Sequence, residues 1–438
     1  MKKILFTLLL AVATTAANAQ WIRVWNAGES TRYAISNAAS LPYSSAGSTL
    51  TIGGDNYSTS AIDSITVVNP VVITWNGSTA TVDIPETAEG VSAHVNGANV
   101  VITNSCTTIE HEFILAGNST AGSFTYNGDY KTKFHLNGLT LTSTKGGAID
   151  IQCGKRIDLI LEDGTTNSLS DATTGDQKAA FNCQGHLEVS GGGSLSIAGN
   201  CKHALRTNEY LQLKKTTGHI TITKSVSDGI HCGEYFQMNG GTLVLSNIAG
   251  DGIQVETDAT SDESLNGQFI MNGGSIDLTV SAQDSKGIRL DAATGTSIVP
   301  GMYLLDGSVI VNLTSGAMGS KAIASDGNLT IGSQSTSPVI NVTVAGGVYV
   351  DPDTEEEDRA TGLKAEKTLT INGGNTTVNA TGTQSRGVRT YNLISNGGVL
   401  TVTNSGTKSQ GIKLDGSNTN PTYYQNNGGT VNCNNWKF

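Results

Sequence analysis

Apolar and polar positions alternate along most of this chain in short runs that keep returning. In DGIHCG, DGIQVE, SKGIRLD, SRGVRTY and SQGIKLD an apolar residue follows glycine, then an outward polar one, then a small or apolar one. Aligned on the first apolar residue, the column reads Ile149, Phe181, Leu205, Ile230, Ile253, Ile288, Ile323, Leu363, Val388 and Ile412. Two residues on stand Ile151, Cys183, Thr207, Cys232, Val255, Leu290, Ser325, Ala365, Thr390 and Leu414. Alternate residues of a strand share a face, so both columns are expected to point inward. A second phrase, MNGG (238–241 and 271–274), INGG (371–374), SNGG (395–398) or NNGG (426–429), precedes another alternating strand such as TLVLS, SIDLTV or VLTVT. Its glycines supply the positive φ that such turns need.

Successive entries of the first column are 32, 24, 25, 23, 35, 35, 40, 25 and 24 residues apart. A base period near 24 with insertions is the mark of a repeat architecture. Asn-Gly between strands also suits an antiparallel hairpin, which would make a sandwich or a propeller. Propeller blades need about forty residues or more, however, and like residues recur here in register, where asparagines can hydrogen-bond from one coil to the next. The pattern therefore predicts an all-β chain wound as a parallel β-helix, a solenoid with about three strands per coil and coils ~4.8 Å apart. The segments EGVSAHV (89–95), EFILAGN (112–118) and KFHLNGLTLTS (133–143) are expected as earlier, less regular coils. Residues 20–72, with Trp21 and Trp25, are expected to form a small N-terminal β module or cap, and residues 73–438 the solenoid. Open solenoid ends need covers, a role expected of Trp436 and Phe438 at the far end.

The first nineteen residues join two lysines, an apolar run and small residues at Ala17 and Ala19, the pattern of a cleaved secretory leader. The run is too short to span a bilayer. The chain is thus expected to be exported, to the periplasm, the cell surface or the medium, without membrane insertion. Its formal charge of −11 becomes −13 without Lys2 and Lys3, with 24 basic against 37 acidic residues, which argues against nucleic acid as a partner. The six cysteines match no zinc spacing and read either as disulfides or as small buried fillers.

The residue between the two inner columns reads Asp150, Asn182, Arg206, His231, Gln254, Arg289, Ala324, Lys364, Arg389 and Lys413. Two residues further run Glu256, Asp291, Asp326, Glu366, Tyr391 and Asp415. Stacked coils would make these a basic stripe beside an acidic one. Such stripes are either a solvated face of weak ion pairs or a surface for a long anionic or polar chain, gripped by paired guanidinium bonds. On the second reading the ligand contacts are Arg206, His231, Arg289, Lys364, Arg389 and Lys413, with Tyr391 as the main aromatic platform. Oxygen ligands for calcium would come from Asp228, Asp251, Glu256, Asp258, Asp291, Asp326 and Glu366. Asp228 and Asp251, each just before a repeat glycine, read more readily as turn caps than as an acid–base pair. Insertions after Glu256, from Asp291 and from Asp415 are expected to wall a cleft on this face, and the acidic run 351–359 to wall its other edge. No hydrolase elbow, zinc-protease helix motif or phosphate loop is present. A binding protein is thus favoured over an enzyme, with a polysaccharide lyase or hydrolase and a structural surface protein or adhesin as the alternatives.

The series LTLTSTKGGAIDIQ, LILEDGTTNSLSD, HLEVSGGGSLSIAG, SDGIHC, GDGIQVE and LTINGG resembles a family of exported carbohydrate-binding proteins, over roughly Val71 to Phe438. The resemblance implies a right-handed parallel β-helix of polysaccharide-lyase-like shape, associated with calcium and with binding to cellulose and acidic sugars such as pectic chains. The N-T-D, D-D, G-H-G and R-I-K signatures of lyases and polygalacturonases on that fold are missing, and shape alone does not carry their chemistry.

Overall fold

The computed structural model describes residues 21–437 apart from 27–28, 35–42, 47 and 417–422. The expected leader, Phe438 and most of the insertion after Asp415 lie outside the described residues. The described residues form strands, turns and bends with no helix, so the all-β expectation holds. Most strands join one large, mainly parallel sheet.

That sheet has a simple rule. Through the repeats each strand pairs in parallel with the equivalent strand of the next repeat, usually three strands later. The strand Ile230–Cys232 lies against His203–Thr207 on one side and Ile253–Val255 on the other. Ile253 pairs with Ile288, Ile288 with Ile323, Ile323 with Leu363, Leu363 with Val388 and Val388 with Ile412. All ten residues of this column are buried. They belong to one apolar cluster that runs from Val71 to Leu414, and full burial of each large side chain stabilises by about 1.5–3 kcal/mol. The insertions that stretch the spacing to 35 and 40 residues are looped out without a slip in register.

Asparagines of the turn phrase stack as expected. Asn272 donates to Asn239 at 2.8 Å, Asn396 to Asn372 at 2.8 Å and Asn427 to Asn396 at 2.7 Å. The turn glycine Gly274 has φ +90, and a Cβ there would meet the Gly241 carbonyl oxygen at 2.6 Å, so this turn requires glycine twice over. All six cysteines are free; Cys153, Cys183 and Cys232 are buried, as small fillers would be.

The beginning of the sheet departs from the repeat. EFILAGN lies in a strand parallel to both Val71–Asn76 and Thr132–Thr142. EGVSAHV does not form a coil: Val91–Asn96 is antiparallel to Asn99–Asn104, and Val71–Asn76 is antiparallel to Thr79–Asp83. Here Asn76-Gly77 and Asn96-Gly97 turn hairpins. The difference from the later Asn-Gly phrases is burial, since Thr79–Asp83 alternates exposed and half-buried residues and Val91–Asn96 is exposed after Val91. Ala80, Val82, Ile84 and Val91 rest partly buried on the apolar cluster. Before them, Trp21–Asn26 sits between Glu29–Ala34 and Ile62–Val68 in an antiparallel sheet, with its own cluster of Ile22, Val24, Tyr33, Ile52 and Tyr57. Arg23 pairs with Glu112 and Arg32 with Glu162, and His135 bridges both carboxylates at 3.1 and 2.6 Å.

Candidate functional site

The outer strip begins with a bend. Just before the apolar column stands a small residue: Ala180, Ala204, Gly229, Gly252, Gly287, Ala322, Gly362, Gly387 and Gly411. It is small because it also faces inward. A Cβ on Gly252 would meet Leu278 Cδ1 at 2.3 Å and the Gly287 oxygen at 2.4 Å. Two successive inward positions take the residue before them out of the apolar core and beside the expected basic column, where His203, Asp228, Asp251, Lys321 and Thr361 are themselves buried. This further column reads His203, Asp228, Asp251, Lys286, Lys321, Thr361, Arg386 and Gln410, in register wherever the ladder is paired. Simple alternation assigns it to the core, and it was therefore not expected as a stripe. Its signal lay in the charged letter before the repeat glycines 229, 252, 287 and 387.

The expected basic column is in register. Arg206 pairs with His231, His231 with Gln254, Gln254 with Arg289, Ala324 with Lys364, Lys364 with Arg389 and Arg389 with Lys413. Most of its cations meet acids of the flanking columns. Arg289 binds Asp291 through Nε at 2.5 Å and Asp251 through a terminal nitrogen at 2.9 Å. Burial opposes its charge, but the two carboxylates outweigh that and raise its pKa. Lys364 pairs with Glu366 at 2.6 Å, and Asp415 takes both Arg389 and Lys413 at 2.6 Å. Arg206 instead binds the amide oxygens of Asn182 (3.2 Å) and Asn208 (2.8 Å), and burial lowers its pKa. Arg386 binds Gln410 at 3.1 Å; burial, then Arg359 and Arg389, lower its pKa. Tyr391 is exposed, with 40 % of its surface open.

The expected metal ligands do not gather into one shell. Asp228 and Asp251 act as caps between coils: Asp228 accepts the Asp251 N–H at 2.9 Å and Asp251 the Lys286 N–H at 2.7 Å. Their other oxygens meet histidine and arginine side chains. Asp258 caps its own loop through the N–H and hydroxyl of Thr260. Glu366 is held by Lys364. The acidic run 351–359 folds as a hairpin, Val348–Val350 against Glu357–Arg359, and its Asp358 reaches the buried Lys321. Glu256, Asp291 and Asp326 do share a place. With Gln254, Thr257, Arg289, Ala292 and Ala293 they line an open cleft of about 390 Å³, to which two of the expected insertions, those after Glu256 and from Asp291, give their first residues.

His231 and Asp228 meet in a tighter group. Asp228 Oδ2 lies 3.2 Å from Nδ1 of His231 and 3.2 Å from Nδ1 of His203. Burial opposes charge on both, yet the hydrogen bonds win: His231 is raised to about 9 by Asp228 and Glu256, and Asp228 is held far below the carboxylate range. His203 stays below the ordinary histidine value, chiefly through burial.

The model of a family of carbohydrate-binding domain-containing proteins matches residues 96–416, most of the chain and all of the strip. The chain belongs to that family. A comparison with curated proteins finds no match. Among solved structures, the polysaccharide lyase-like protein from C. thermocellum, a gadolinium derivative, is similar at 18 % identity with a TM-score of 0.45, over 63 % of this chain and 97 % of that one. In this family member the strip is the repetitive polar surface, and the cleft its concave part.

Proposed function

We propose that the ladders wind as a right-handed parallel β-helix, with residues 20–72 as its N-terminal module, and that its outer strip binds an acidic polysaccharide of the pectic type with calcium. The observation that carries this reading is the register. Polar and charged residues recur at one coil spacing, ~4.8 Å, a step comparable with one pyranose unit of an extended chain. A repeating ligand meets the same kinds of groups on every coil. Guanidinium and ammonium groups of Arg289, Lys364, Arg389 and Lys413 offer charge-assisted donors to uronate carboxylates. Their acidic neighbours Glu256, Asp291 and Asp326 would oppose a polyanion unless a hard cation bridges them, and oxygen-rich carboxylate sites suit calcium. Export of the chain is supported by the leader pattern of residues 1–19.

The test is binding of the full chain to polygalacturonate. Arg289→Gln together with Arg389→Gln, which leaves Asp251 a neutral donor, is expected to weaken binding at least about tenfold, or ~1.4 kcal/mol, with the fold retained by circular dichroism. Unchanged affinity in the folded double variant overturns the strip as the site. Steady release of unsaturated uronate during the same assay overturns binding as the whole of its function.

A further inference from the structure

We propose that His203, Asp228 and His231 form a site for one divalent transition-metal ion of the zinc class, separate from the oxygen-lined cleft. The three come from two adjacent coils. His203 and Asp228 precede the apolar column by two residues on successive coils, and His231 follows Ile230 in the column beside them. One ligand atom from each lies within 4.8 Å of the others, and the group stands alone in this among the described residues. Both Nδ1 atoms are 3.2 Å from the same oxygen, Asp228 Oδ2. Two ligand atoms of a tetrahedral zinc ion, each ~2.0–2.1 Å from the metal, stand about 3.3 Å apart.

His203 Nδ1 accepts the backbone N–H of Asp228 at 3.3 Å and lies 3.2 Å from Asp228 Oδ2; a cation between nitrogen and carboxylate would take over the lone pair that the amide now holds. Part of an outer shell is present: Asp228 Oδ1 accepts the Asp251 N–H, and the Glu256 carboxylate stands 3.7 Å from His231 Nε2, within ion-pair reach though beyond hydrogen-bond distance. His203 is 3 % and Asp228 7 % exposed, His203 and His231 stand on paired strands and Asp228 is held by its bond from the Asp251 N–H, so little ordering remains for binding to cost. Two imidazoles with one carboxylate select zinc, cobalt, nickel or copper over calcium, which takes six to eight oxygens. Three protein ligands leave the fourth position of a tetrahedral ion for water or a ligand oxygen.

The experiment uses the full chain without a polyhistidine tag, freed of metal by chelator and dialysis, and titrated with Co²⁺ and with Zn²⁺. Uptake of one equivalent is expected, with the intense visible absorption of tetrahedral cobalt, displaced by Zn²⁺ and not by excess Ca²⁺. His203→Gln and His231→Gln, each verified as folded by circular dichroism and thermal melting, are expected to weaken cobalt binding at least about tenfold, while His219→Gln, outside the group, leaves it unchanged. Failure of the parent chain to take up a stoichiometric equivalent overturns the site. Undiminished binding in both folded variants does so as well. The readout needs no sugar ligand, so the outcome is independent of the glycan-binding assay.

Discussion

Gly252 shows how one atom sets the charge of the surface. Its missing Cβ lets the chain run between Leu278 and the Gly287 carbonyl, and the inward turn it permits delivers Asp251 to Arg289 on the outside. Alanine occupies the same column at 180, 204 and 322, where it is fully buried, so the neighbours rather than the backbone decide. At 252 the nearer obstacles include a backbone oxygen of the next coil, which cannot rotate away. Gly252→Ala is therefore expected to destabilise by about 1–3 kcal/mol, read as a lower denaturant midpoint at unchanged slope. A midpoint equal to the parent's would show that this approach is looser than 2.4 Å contacts allow.

The N-terminal sheet is tied to the coils by charge where the coils are tied to one another by apolar columns, and acid should separate the two. Burial works against ionisation of Glu112 and Glu162, but His135 with Arg23 or Arg32 outweighs it and holds each carboxyl down at about 2, from an ordinary value of 4.5. Folded-state values below the unfolded ones mean that this contribution is complete above about pH 4.5 and is lost as pH falls toward 2. Trp21 stacks edge-on against His135 at 5.1 Å and carries Arg32 over its face at 4.4 Å. Trypsin-independent readouts such as tryptophan emission should therefore change across that acid range before strand content does; coincident transitions would show that no such separable attachment exists. Glu162→Gln should move the first transition upward in pH. None of this attachment was legible in the sequence, because Arg32 and Glu162 meet across 130 residues without any shared period. The repeat, by contrast, was legible from Ile149 on, since one coil per period puts equivalent letters in contact. Where the period ended, at Val91–Asn96, the same Asn-Gly signal meant a hairpin instead of a coil turn. On the strip, the columns at Arg206–Lys413 and Glu256–Asp415 could be read from alternation. The His203–Gln410 column could not, because the doubled inward step before each apolar residue breaks the two-residue period.

Over the whole molecule the charge of −11 is a poor guide to what the strip attracts. Charges more than about 10 Å apart are largely screened at 0.1 M salt, whereas neighbouring columns stand a few ångströms apart. From Lys286 onward the two inner columns of the strip carry Lys286, Arg289, Lys364, Arg386, Arg389 and Lys413, with Lys321 buried against Asp358, and no acid. Before it, Asp228 and Asp251 alternate with His203, Arg206 and His231. The outermost column is acidic along Glu256, Asp291, Asp326, Glu366 and Asp415. A polyanion laid along the cationic columns thus has carboxylates at its side, and ion pairs such as Arg389–Asp415 compete with it for the same donors. On the proposed reading a bridging divalent ion would resolve both conflicts, taking the acidic column out of competition and adding positive charge at the cleft. A neutral glucan has no such need, because hydroxyl groups neither repel carboxylates nor compete for guanidinium pairs. Chelator is accordingly expected to lower affinity for polygalacturonate at least about tenfold, ~1.4 kcal/mol, and to leave any affinity for a neutral β-glucan within about twofold, ~0.4 kcal/mol. Restored binding on adding Ca²⁺, but not Na⁺ at equal ionic strength, separates bridging from screening. Equal losses for both polymers would make the ion a prop for the fold, and no loss for either would leave the arginines and lysines as the sole grip on the acidic chain.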